Sequence, residues 1–85
     1  MKALIAIDIQ NDFVSGSLGT KEAEAALAKM VDEINSPKYD MVFATQDTHD
    51  TNYLNTLEGK YLPVVHCIKG TEGWRFHKSI EEALH

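Results

Sequence analysis

The sequence predicts an α/β fold built on a parallel sheet, and three segments carry that prediction. Residues 3–9, "ALIAIDI", form an almost continuous apolar run, the pattern of a strand covered on both faces. Residues 41–45, "MVFAT", form a second apolar run of strand length. Between them Ala23, Ala26, Leu27, Met30, Val31 and Ile34 recur at three- and four-residue steps, the stripe of a helix buried on one side. Strand, helix and strand at this spacing make a βαβ unit.

Each element has its boundary signals. The first strand runs into "QNDFVSGSLGT", a stretch of Gly, Ser, Asn and Asp that reads as a loop. Thr20 is placed to cap the helix, and Asn35-Ser36-Pro37 closes it because Pro37 disfavours the helical state at the preceding residue. From Gln46 to Tyr61 the pattern is polar and irregular, and loops of that length are uncommon unless they carry function. A short "PVVHCI" and a glycine-containing "KGTEGW" follow. Ser79, with Glu82 three residues on, is a capping-box signature for the start of a last helix.

Composition narrows the function classes. A chain of 85 residues makes one domain at most and buries only about 60–65% of its unfolded surface. The apolar runs are far shorter than the ~18 residues a membrane span needs, and no signal peptide precedes the first strand. One cysteine excludes an internal disulfide and fits a reducing, cytoplasmic setting. A formal net charge of -5 provides no basic footprint for nucleic acid or anionic lipid, which leaves a small-molecule partner as the expectation.

The acids fall where ligands bind. Asp8 sits near the end of the first strand and Asp47 just beyond the second, so both lie at the carboxyl edge of one sheet. Asp8 reads either as a site acid or as a local cap or lysine partner. Asp47 and His49, two residues apart in an extended segment, point the same way and can offer an oxygen and a nitrogen to one point. That mix suits zinc, manganese or iron, and the alternative is a solvated turn. His66 in "PVVHC" and Glu58 in "TLEGKYLP" bring the ligand-type residues to four, with Asp50 as a competing carboxylate. Cys67, beside two valines and an isoleucine, reads as a small packed hydrophobe rather than a nucleophile. Phe13 is a candidate pocket wall, Trp74 a weaker one, and His77 and His85 read as solvated.

Taken together, "AIDIQNDFVSGSL", "ATQDTH", "EGKYLPVVHCIKGTEG" and the late His77 resemble the nicotinamidases, within the isochorismatase-like cysteine hydrolases. The first motif belongs to the wider family. The D-x-H pair followed by a spaced H-C and G-T-x-G is the part that points to nicotinamidase. The resemblance implies a three-layer α/β/α fold around a parallel sheet, with residues 1–85 as the N-terminal part of a single domain. It implies hydrolysis of nicotinamide to nicotinate and ammonia through a cysteine thioester. Asp8 would be the catalytic acid, Phe13 would line the pyridine pocket, and Asp47, His49, Glu58 and His66 would hold one divalent ion, zinc first, with manganese or iron as alternatives. The family's lysine and nucleophilic cysteine are expected beyond residue 85, and Cys67 matches neither. The chain is therefore expected to be inactive alone and to work as a homo-oligomer or with its missing C-terminal half, since "ALIAIDI" without flanking strands leaves an apolar edge. Two other readings stand beside it: a relative acting on a carbamoyl, ureido or isochorismate-like substrate, or an inactive metal-binding fragment.

Overall fold

Four residues, Ala3–Ala6, pair in parallel with Met41–Ala44, forming strands β1 and β2 with Ala3 opposite Met41 and Ala6 opposite Ala44. The structure, a computed structural model, describes residues 1–84; His85 and its expected solvation lie outside the described residues. The chain between the strands forms a short helix α1 (Asn11–Val14) and the long helix α2 (Lys21–Ile34). The Thr20 side chain accepts from Ala23 N at 3.0 Å, as the sequence predicts for its cap. Beyond β2 come a 3-10 turn (Tyr53–Asn55), helix α3 (Leu57–Tyr61) and helix α4 (Lys78–Ala83). Among the described residues, no helix is long and apolar enough to cross a membrane.

Five expectations change. The first strand ends at Ala6 rather than Ile9, because Asp8 takes a left-handed backbone (φ 53°) that ends the extended run. Only one of its faces is covered. Leu4 and Ala6 are turned inward, whereas Ile5 and Ile7 are 58% and 69% exposed, with Phe43 and Met41 exposed on the same side. The long stretch 46–61 is not irregular: Thr56 caps α3 by accepting from Gly59 N at 3.1 Å. Glycine is required at 59 because a Cβ would meet the backbone of Tyr53. The last helix starts one residue before Ser79. Its cap is His77, whose Nδ1 accepts from the Ser79 N–H at 3.3 Å and from the Ser79 hydroxyl at 2.9 Å. His77 is thus half-buried and engaged rather than merely solvated.

The core is thin. Val14, Ile34 and Ile80 bring α1, α2 and α4 together, and Tyr53, His66 and Cys67 form a second buried group beneath the segment after β2. Between the two lies Gln10, fully buried. It ties the loop after β1 to the segments that carry the candidate site.

Candidate metal centre and its surroundings

Asp47 and His49 lie on the extended segment that leaves β2. That segment runs alongside residues 67–69: His49 N–H donates to Cys67 O, and Lys69 N–H donates to His49 O, each at 2.9 Å. Pairing brings His66 beside His49. The Asp47 carboxylate, the His49 ring and the His66 ring each direct one donor atom to a common point, all within 4.8 Å of one another. Asp47 Oδ2 is 3.0 Å from His49 Nε2 and 3.4 Å from His66 Nε2. Glu58, carried on α3, brings Oε2 to 3.1 Å from His49 Nε2 while its side chain remains 60% exposed. Asp50 is outside the cluster; its carbonyl accepts from Tyr53 N–H and starts the 3-10 turn.

The donor set fits a divalent ion. Ligands bound at about 2.1 Å stand roughly 3.0–3.4 Å apart in octahedral and tetrahedral shells, the spacing seen here for the pairs Asp47–His49, Glu58–His49 and Asp47–His66. The hydrogen-bond pattern adds an independent reason. His66 Nδ1 donates to the Val64 carbonyl at 2.7 Å, so in the neutral ring Nε2 carries the lone pair. That lone pair faces a carboxylate oxygen at 3.4 Å. A cation held between these two atoms would satisfy both.

The two imidazoles rest on aromatic rings. Tyr53, 1% exposed, packs edge-on against His49 (4.6 Å between centroids) and His66 (5.0 Å), and Phe13 packs against His66 at 5.5 Å. The Tyr53 hydroxyl donates to Leu62 O at 2.9 Å. Burial, then the carboxylates of Glu58 and Asp47, push its phenol above the ordinary range.

Asp8 lies outside this cluster, just past the end of β1. Its Oδ1 accepts from the Thr45 hydroxyl at 2.7 Å, and its own N–H donates to Thr45 Oγ1 at 3.0 Å. Cys67 is fully buried with a left-handed backbone (φ 50°).

A family model for the isochorismatase domain matches residues 2–84. The chain belongs to the isochorismatase family. Among curated proteins it is similar to the nicotinamidase/pyrazinamidase of Mycobacterium tuberculosis, at 34% identity over 86 residues. That alignment covers 95% of this chain and 46% of the relative, so the chain spans about half the length of the curated protein it matches.

Within this isochorismatase-family chain, two functional candidates escaped the sequence reading although both lie in "DIQNDF". Gln10 holds the Asp47 peptide from both sides: its Oε1 accepts from Asp47 N–H and its Nε2 donates to Asp47 O, each at 2.9 Å. Asp12 Oδ2 accepts from Cys67 N–H at 2.8 Å. A third, Tyr53, sits in a stretch with no periodicity to mark it as buried. The signal for Gln10 was available: a large amide between an apolar strand and a helix needs partners for both ends.

Burial, then the negative charges of Asp47, Asp12 and Asp8, pushes the Cys67 thiol up to about 12. A thiol so raised is neutral at working pH and a poor nucleophile, in agreement with reading Cys67 as a packed side chain. The same shift couples to folding. Below the ordinary thiol pKa of 9.0 both states hold the proton and nothing changes; between there and about 12 only the unfolded thiol ionises. Stability is therefore expected to fall across that alkaline window, and Cys67→Ala is expected to flatten the fall. Urea melts from pH 8 to 11 measure it, and parallel pH profiles for the two proteins would remove the assignment.

Proposed function

We propose that this chain is the N-terminal part of a single isochorismatase-like domain and carries the catalytic acid and metal ligands of an amidohydrolase that converts nicotinamide to nicotinate and ammonia. The observation that carries the metal reading is the convergence of Asp47, His49 and His66 on one point with His66 presenting its lone pair there. Glu58 completes the donor set from α3, where its exposure leaves it the most exchangeable of the four. Bound there, a divalent ion, zinc in the first instance, would supply a Lewis-acid contact for the pyridine nitrogen. Phe13, packed on the His66 ring, forms the wall of the pyridine pocket.

Asp8 serves as the base. It accepts the proton of a cysteine thiol supplied outside these residues; the thiolate adds to the amide carbonyl, ammonia leaves with a proton, and water cleaves the thioester. Thr45 orients the Asp8 carboxylate for that transfer through its hydroxyl. The similarity to a nicotinamidase/pyrazinamidase supports an amide substrate, the net charge of -5 supports a small molecule rather than nucleic acid, and the single cysteine fits a reducing cytoplasm.

A second reading, that these 85 residues alone form a metal-binding unit without turnover, is favoured by one observation. The only cysteine in the sequence is the buried Cys67 with its raised pKa. Metal content and ammonia release measured together separate the readings, on this chain and on a full-length protein containing it. About one divalent ion in both, with ammonia from nicotinamide only in the longer protein, is the expected result. Ammonia only from carbamoyl or ureido compounds would move the substrate to another branch of the family. A folded protein without metal would remove the metal role.

A further inference from the structure

We propose that Gln10 and Asp12 are positioning residues for the metal ligands, holding the two ligand-bearing segments in place from the one short segment that follows β1. The inference rests on the metal reading above and concerns how that site is kept rigid. Gln10 has no exposure, and every polar atom of its amide is used: Oε1 on Asp47 N–H, Nε2 on Asp47 O, and Nε2 again on Trp74 O at 2.6 Å. It pairs with the Asp47 peptide as a neighbouring strand would, although no strand lies there. The ligand side chain of Asp47 thus leaves a backbone fixed at both of its polar groups.

Asp12 does the corresponding work for His66. Its Oδ2 accepts from the N–H of Cys67, the residue after the ligand, and so holds Cys67 in the left-handed conformation. Cys67 O in turn accepts from His49 N–H, so the Asp12 contact is relayed to the third ligand through one residue. The space around Asp12 is shaped for this. Its own N–H donates to Gly73 O at 3.0 Å, and any Cβ at Gly73 would collide with the Asp12 carboxylate. Residues 10 and 12 lie 37 and 55 positions in sequence from the groups they hold. Neither touches the ion's donor atoms.

Partners behind the ligands typically set roughly 10- to 100-fold in metal affinity, because they limit the arrangements the ligands sample before binding. Gln10→Met keeps the side-chain volume and removes all of its hydrogen bonds. Asp12→Asn keeps an acceptor but removes the charge. Ile34→Ala, in α2, is the control for lost stability alone, since Ile34 is buried away from the ligands. The experiment titrates Co2+ into each protein, reading the dissociation constant by chelator competition and the coordination by the visible absorption bands. Gln10→Met is expected to bind about 10- to 100-fold more weakly with altered bands and Asp12→Asn several-fold more weakly, while Ile34→Ala binds as the parent does. Parent-like affinity and spectrum in both variants, with the parent binding one Co2+, would overturn the positioning role and leave the metal site standing. No stoichiometric Co2+ in the folded parent would overturn both. Should Gln10→Met not fold, Asp12→Asn decides the question.

Discussion

Asp47→Ala is expected to abolish stoichiometric binding of a divalent ion while leaving the fold intact. Asp47 Oδ2 is the oxygen that approaches both His49 and His66, so its loss leaves two imidazoles and the exposed Glu58 carboxylate. Removing a ligand outright is expected to exceed the roughly 10- to 100-fold that follows loss of an outer partner. The fold survives because Gln10 grips residue 47 through its peptide, which alanine retains. His66→Ala is less clean, since it opens a hole against Tyr53 and Phe13 and destabilises by packing as well. Chelator competition with the Asp47 variant measures the effect. An ion held as tightly as in the parent would show that the ligand set is wrong.

The second large effect concerns Asp8. In a full-length protein containing this segment, Asp8→Asn is expected to lower nicotinamide turnover by about 10²- to 10⁴-fold, the range of general acid–base groups, with metal content unchanged. Alanine there should abolish turnover too, but asparagine is the better test. It keeps an oxygen for the Thr45 hydroxyl and tolerates the left-handed backbone at this position, which costs alanine about 1–2 kcal/mol. The separation of Asp8 from the Asp47, His49 and His66 cluster is what makes the two readouts independent. Turnover retained in Asp8→Asn would remove the base from its assigned role, whereas metal lost along with turnover would point to a structural defect.

The parts of the structure governed by local periodicity were legible. The α2 stripe, its Thr20 cap and the parallel pairing of its flanking strands follow from spacing and capping chemistry. The pointing of Asp47 and His49 to one place was legible too, because alternate residues of an extended segment face the same way. What escaped depends on contacts distant in sequence. The short α3 is capped by Thr56 and contains Gly59, a poor helix former kept there because the Tyr53 backbone leaves no room for a Cβ. Ser79 and Glu82 matched a capping box, but His77 reached the free N–H groups first. Gln10 and Asp12 look like loop residues, since their partners lie 37 and 55 residues away. The end of β1 was missed for a similar reason: the left-handed turn at Asp8 is stabilised by Thr45, the residue that follows the other strand.

The left-handed backbone at Cys67 separates two kinds of information that one letter of sequence normally carries together. Its N–H is held by Asp12 and its carbonyl by His49, whereas its thiol is buried and kept neutral. The position therefore selects for a peptide that bends the wrong way for an L-residue and for a side chain small enough to be enclosed. Glycine or asparagine would meet the first demand, and a β-branched residue would fail it. A cysteine beside a candidate ligand histidine invites a chemical interpretation; here it is a hinge of fixed shape, and its sulfur is incidental to it.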